Sequence, residues 1–285
     1  MKWIKIIFVV VLLAIIGVII YWKIPFSPEM KKFQVAMQKR ADKVKHSNEV
    51  CTLEEIERLP QPLQKYCSYI GLENFPKYQV VNTIFERTDF VFDTKSGKVI
   101  KMDYDLWLFY DDIFRSAFCS AAMYGIPFEG VDYVTEEKMG GMKGILGKKL
   151  ILFDECGEQG YKASLISWLA ESVVINPAVL LSPYVSYEEI DDTHVKATVT
   201  YEDVSGSGVF TLNEAGAITE FYSTERQVET IDGVKMELGW KCYYDEYEER
   251  NGIKIASKVK STKLFPNGSE LVYFASDKFT VKYIK

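Results

Sequence analysis

From Ile6 to Trp22 the chain runs seventeen residues without a charge, and Lys2, Lys5 and Lys23 close that run at its two ends. At 1.5 Å per residue a helix of this length reaches roughly 26 Å, close to the ~30 Å hydrocarbon core of a bilayer. Trp3, Tyr21 and Trp22 stand where an aromatic belt belongs, and the lysines can extend their charges into the headgroups. Residues 1–22 therefore read as one transmembrane anchor. A cleaved leader would need small residues at its processing site, and Val18-Ile19-Ile20-Tyr21-Trp22-Lys23 offers none. Orientation rests on a near balance of Lys2, Lys5 and the amino terminus against Lys23, Lys31 and Lys32. A short charged N-terminus ahead of an apolar run stays inside, which gives a single-pass cell-membrane protein with an extracytoplasmic domain. Adding Lys39, Arg40 and Lys43 to the count favours the reverse.

Residues 23–50 carry Met30, Phe33, Met37, Ala41 and Val44 at three- and four-residue spacings among Lys31, Lys32, Lys39, Arg40, Lys43 and Lys45, the pattern of a basic amphipathic helix. Two readings fit: contact with membrane lipid headgroups, or a solvated stalk. Thr52 with Glu55 forms a capping-box signal for a helix that stops near Pro60, and Pro62 opens a second that ends at Gly71.

Beyond Gly71 the period changes to two. Met102, Tyr104, Leu106, Leu108 and Tyr110 share a face opposite Lys101, Asp103 and Asp105. The alternation returns at Val195, Ala197, Val199 and Tyr201, and again at Met236, Leu238, Trp240, Cys242 and Tyr244. About ten strands are expected in a meander, with turns at Lys95-Ser96-Gly97, Asn213 to Gly216, Asp232-Gly233, Asn251-Gly252 and Asn267-Gly268. One helix interrupts them from Tyr161 to about Val174. No linker or repeat divides residues 51–285, which read as a single β-rich domain. An aromatic share of 14% beside two histidines suits strands and disfavours a histidine metal site.

The residues exclude more chemistry than they propose. With the anchor removed the 34 basic residues lose Lys2 and Lys5 while all 40 acidic ones remain, a charge of −8 that suits no nucleic acid. Met139 to Lys149 contains four glycines, but lacks the spacing, the Ser/Thr and the following helix of a phosphate loop. It reads instead as a hairpin or mobile flap in which Met139, Met142, Ile145 and Leu146 touch an apolar ligand or lipid. His46 and His194 are expected in solvent, so no Ser or Cys nucleophile has a base. Five cysteines without a CxxC spacing argue against a disulfide scaffold or zinc ribbon. Asp111-Asp112, Asp154-Glu155, Asp191-Asp192 and Asp245-Glu246 leave a narrow opening for a carboxylate hydrolase. No enzyme, cofactor or metal is expected.

Several strings together resemble an uncharacterised bacterial membrane-associated family with a lipoprotein-carrier-like (LolA-like) fold. They are Leu59-Pro60-Gln61-Pro62-Leu63-Gln64-Lys65-Tyr66 before Gly71, then Ser167-Trp168-Leu169-Ala170-Glu171 running into Asn176-Pro177-Ala178-Val179-Leu180-Leu181. A later strand with Arg226 follows, then Trp240, Tyr247 and Gly252-Ile253-Lys254-Ile255. Ala256 and Val173-Val174-Ile175 depart from the pattern. The resemblance implies an α+β, mainly antiparallel fold in which a curved half-barrel sheet carries a few covering helices and encloses acyl chains. Trp168, Leu169 and Trp240 would then line the cavity with the flap residues. A Glu171–Arg226 ion pair would hold helix and sheet in register. The function implied is membrane-anchored binding or carriage of a hydrophobic ligand, such as lipid or a lipoprotein acyl chain. The alternative is a tethered interaction or sensor domain whose aromatic faces simply fill the core.

Overall fold

A computed structural model describes residues 2–45, 47–91, 97–231 and 234–284. His46, Lys95-Ser96 and Asp232-Gly233 lie outside the described residues. Four helices come first: α1 (Lys2–Lys23), α2 (Pro28–Ala41), α3 (Leu53–Ile56) and α4 (Gln61–Ile70). The next six elements are β1 (Val80–Val91), β2 (Val99–Phe109), β3 (Phe114–Met123), β4 (Ile126–Val134), β5 (Gly140–Leu146) and β6 (Leu150–Gly157). Helix α5 (Glu158–Ile175) and a 3-10 turn (Pro177–Leu181) lead to β7 (Val185–Asp191), β8 (His194–Tyr201), β9 (Val204–Leu212) and β10 (Ile218–Ile231). The chain closes with β11 (Val234–Arg250), β12 (Ile253–Leu264), β13 (Glu270–Ser276) and β14 (Phe279–Ile284).

The local chemistry explains the boundaries. Thr52 and Glu55 form the predicted reciprocal cap of α3, and Gly71 ends α4 in the left-handed conformation. Asn251 and Gly252, both at positive φ, make the two-residue turn between β11 and β12. Fourteen strands form among the described residues where about ten were expected. The additions are the glycine-rich β5, the acidic β7, and the division of residues 270–283 into β13 and β14. Glycines and acids lower strand propensity, so only pairing with neighbours settles such segments.

All fourteen strands join one open antiparallel sheet in the order β6-β5-β4-β3-β2-β1-β13-β12-β11-β10-β9-β8-β7. β14 shares with β13 one edge of β1: Val80–Phe85 face β14, while Asp89 and Phe90 face β13. The break between those two stretches coincides with a bulge at Phe85/Thr88 and with Arg87 at positive φ. Helix α5 connects the two end strands, β6 and β7. It touches β3, β5 and β6 on one wing and β8, β9, β10 and β12 on the other, so the sheet curves around it.

This helix fills the concavity. Leu165, Ile166, Trp168, Leu169, Val173, Val174 and Ile175 are all buried, with Leu106, Leu108, Phe210, Phe221 and Trp240 of the sheet around them. Tyrosines from the surroundings donate to its backbone: Tyr244 to the Ala170 carbonyl at 2.9 Å, Tyr66 to Val173 at 3.1 Å and Tyr283 to Ile175 at 2.7 Å. The Trp168 indole in turn donates to the Phe109 carbonyl at 2.8 Å. Much of the tyrosine content therefore serves as both packing and backbone hydrogen bonding.

The convex face has its own smaller core. Trp107, Phe109 and Phe118, alternating with the inward residues, pack with Val80 against Phe33, Met37 and Ala41 of α2. Helix α2 is thus not a free stalk: sheet aromatics occupy its apolar stripe, and Lys31, Lys32 and Lys39 stay exposed. Arg40 reinforces the docking through an ion pair with Asp112 and by lying 3.8 Å from the Phe114 ring centroid.

Candidate functional site

The sheet wings and the N-terminal half of α5 leave a cleft of about 830 Å³ between them. Arg115, Asp132, Met142 and Glu155 belong to the β3–β6 wing, Thr224, Glu225 and Arg226 to β10, and Lys162, Ser164 and Ser167 to α5. The two sides approach closely where Gly140 of β5 meets Gly160 of α5. A Cβ added to Gly140 would lie 2.1 Å from the Gly160 carbonyl carbon, so only glycine fits there.

Arg115 organises the floor. It is 8% exposed and donates from Nε to Glu171 Oε2 at 2.7 Å and from Nη2 to Glu171 Oε1 at 2.8 Å, a bidentate pair. Nη1 reaches Asp132 at 3.2 Å, and Nη2 also donates to the Tyr104 hydroxyl at 2.7 Å. Burial works against the guanidinium charge, but Glu171, Tyr104 and Asp132 outweigh it and hold the Arg115 pKa well above its ordinary value. On the opposite side Arg226 donates to Ser167 Oγ at 2.8 Å and lies 4.1 Å from the Trp240 ring centroid. Lys162 pairs with Glu225 at 2.6 Å. The cleft thus offers both signs of charge rather than a dominant one.

The expected Glu171–Arg226 pair is corrected by these bonds: Glu171 is taken by Arg115, and Arg226 instead grips Ser167, one turn earlier on α5. Helix and sheet are still locked together, by two contacts in place of one. Met142 lines the cleft, and Leu146 is half-buried on the same face of β5. Ile145 is buried on the other face, and Met139 closes the turn by donating from its backbone to Thr135 Oγ1. Trp168, Leu169 and Trp240 are core residues outside the cleft lining.

Sequence reasoning missed Arg115 and Asp132, named Glu155 only as one of several possible acids, and quoted Ser167 without a role. A lone arginine within the small and apolar strand Phe114-Arg-Ser-Ala-Phe-Cys-Ser was the signal. Of the acidic pairs, Glu155 lines the cleft, whereas Asp112 binds Arg40 and Tyr201, Asp154 accepts from Tyr133, Asp191 holds Thr193 and His194, and Glu246 pairs with Lys258. No metal-holding cluster of His, Cys, Asp or Glu occurs among the described residues. All five cysteines are free; only Cys156, beside the cleft, is exposed. Burial pushes the thiols of Cys51, Cys67, Cys119 and Cys242 up to about 12.

The chain belongs to the family of unknown function DUF6544, which matches residues 49–276. It is similar to the crystal structure of a LolA superfamily protein from Nitrosomonas europaea at 10% identity and a TM-score of 0.36, over 83% of this chain and 95% of that one. No curated protein matches it.

Proposed function

We propose that this member of the DUF6544 family is a membrane-anchored binding protein that holds an amphipathic ligand, a lipid or an acylated molecule, without covalent chemistry. The supporting observation is the cleft together with the apolar track that leaves it. Met142, Leu146, Leu150 and Phe153 share one face of the β5–β6 hairpin, by the register Met142↔Glu155, Gly144↔Phe153 and Leu146↔Leu150. That track runs from the mixed-charge floor toward the end of α1. A polar headgroup suits Arg226, Ser167 and Glu155, which supply donors and acceptors; an acyl chain suits the track. The chain lies beside the core in this reading, because α5 occupies the concavity where an enclosed cavity was expected.

Helix α1 supports the anchoring: it is long and apolar, and its side chains are exposed from Lys2 to Ile20. With the short charged N-terminus inside, the domain faces out of the cytoplasm. Protease added to spheroplasts then degrades the domain before lysis, and resistance until lysis would reverse that orientation.

The filled interior favours a second reading, a tethered interaction or sensor domain in which the cleft meets a polypeptide. Native mass spectrometry of the full chain after gentle detergent extraction separates the two. A retained mass in the phospholipid or acyl range is expected; bare protein, or protein with a bound polypeptide, would defeat the lipid reading.

A further inference from the structure

Three features meet at the tip of the β5–β6 hairpin. The first is its attachment to α1. Lys148, buried in the turn, donates through Nζ to the carbonyls of Tyr21 at 3.3 Å, Ile24 at 2.5 Å and Phe26 at 3.1 Å. These are carbonyls at and just beyond the C-terminus of α1, where helical partners run out and a cation is favourable. Gly147 lies against the Trp22 indole, and a Cβ there would be 3.2 Å from Nε1. The tip is therefore fixed at the level where the apolar run of α1 ends.

The second feature is an unpaired edge. β6 is the last strand of the sheet on this side, so one edge of it carries open backbone groups. The third is what that edge displays: Leu150 is 60% exposed, Ile151 55% and Leu152 47%. Consecutive strand residues point to opposite faces, yet here both faces are bare. Ile24 and Phe26 are exposed beside the same turn. Tyr124, 85% exposed, stands at the neighbouring β3–β4 turn, which the 2.7 Å bond from Gly147 N to the Pro127 carbonyl brings to this end.

We infer that the β5–β6 tip is a second membrane contact, seated in the headgroup layer with Leu150, Ile151 and Leu152 turned to lipid. The inference rests on the reading of α1 as an anchor. It follows from distance: at ~3.3 Å per strand residue, Leu150 and Ile151 lie within roughly 7–10 Å of Lys148. The interfacial layer on each side of a bilayer is itself about 5–8 Å deep. A bare apolar edge in water invites strand pairing between molecules, whereas lipid at that depth covers it. The contact would also hold the apolar track open to the bilayer and stop the domain from swinging about its anchor.

The test uses the full chain in nanodiscs of phosphatidylethanolamine and phosphatidylglycerol. Cys156→Ser removes the exposed thiol, and single cysteines at Leu150, Ile151 or Leu152 carry an environment-sensitive fluorophore. Ile16→Cys reports on the anchor, and Glu214→Cys, in an exposed turn on the other wing, reports on water. The expected result is quenching of the 150–152 labels by shallow spin-labelled lipid, with several-fold less iodide quenching than at 214. Iodide quenching equal to that at 214, with position 16 still in the bilayer, overturns the contact and leaves the anchor. Iodide access at position 16 overturns the anchor itself. Shielding that grows with protein concentration but shows no lipid quenching assigns the edge to a second copy and also overturns the inference. Hydroxyl-radical footprinting of the unaltered chain in the same nanodiscs guards against misfolded variants. Leu150, Ile151 and Leu152 should react as slowly as buried Ile145; reaction as fast as exposed Val272 would contradict the contact.

Discussion

Arg115 of β3 and Glu171 of α5 form a two-bond pair, at 2.7 and 2.8 Å, that ties the central helix to one wing of the sheet under the cleft. Two further groups, Asp132 and the Tyr104 hydroxyl, satisfy the same guanidinium. The pair is consequently a complete network, and removing one member leaves a desolvated charge behind.

Glu171→Ala should therefore destabilise the chain by about 3 kcal/mol or more, the range for breaking a buried pair. Replacing both partners by apolar residues of similar size, Arg115→Met with Glu171→Leu, should recover most of that loss. Urea unfolding of the full chain in detergent micelles measures both. A double variant no more stable than Glu171→Ala would show that the network contributes more than charge compensation.

Gly160→Ala tests the close approach of α5 to β5. The added Cβ would stand 2.2 Å from the Gly140 carbonyl oxygen, and both sides of the contact are backbone. Overpacking of this kind costs roughly 1–3 kcal/mol. The start of α5 should lift from the sheet, with faster amide exchange across residues 158–164. Unchanged exchange there would mean that β5 yields instead.

Glu129 is buried beneath Ser27, and its Oε2 has no hydrogen-bond partner. Burial raises its pKa, against the opposing influence of the Ser27 bond and the Lys148 charge. The folded state then prefers the neutral acid. Its cost to stability is present above the raised folded pKa and vanishes as pH falls below the ordinary carboxylate value near ~4.3. Glu129→Gln should accordingly melt higher at pH 7, by roughly 2–4 °C, the shift that ~1 kcal/mol produces in a domain of this size. The two forms should converge near pH 4. A lower melting point for Glu129→Gln at pH 7 would indicate that Lys148 keeps the carboxylate ionised.

Cys156 supplies a selective handle on the cleft, since the other four cysteines are buried. A bulky maleimide should modify it first, and should abolish the co-purifying lipid mass expected in native spectra while Cys156→Ser retains it. Retention of that mass after complete labelling would place the ligand elsewhere.

Lys148→Met keeps the length of the side chain but removes the donor to the α1 carbonyls. We expect faster proteolysis within residues 23–27 of the full chain in nanodiscs, by several-fold, with little change in the melting of the sheet. Equal cleavage of the two forms would mean that the carbonyls find other partners.

Much of the fold was legible because its signals are local. The apolar run of α1, the Thr52–Glu55 cap, the Asn251-Gly252 turn and the two-residue period of Leu106 and Leu108 each act over a few residues. β5 and β7 were less legible because glycine and acidic residues carry weak strand preference and acquire it from their neighbours. The site was the least legible part. Met142 reached the cleft, but Trp168, Leu169 and Trp240 went to the core, since large aromatic faces fill a concavity and line one equally well.

The sequence by itself determined an apolar N-terminal helix, a mainly antiparallel sheet and one long helix able to cover it, because periodicity and turn chemistry are written residue by residue. Only the tertiary structure decided that α5 fills the sheet, that α2 docks on its convex face, and that Arg115 rather than Arg226 receives Glu171. Arg115 and Glu171 are 56 residues apart in the chain. Such a pairing depends on how the wings curve around the helix, and it is chosen by the combined packing of the core and by the need to neutralise a buried charge.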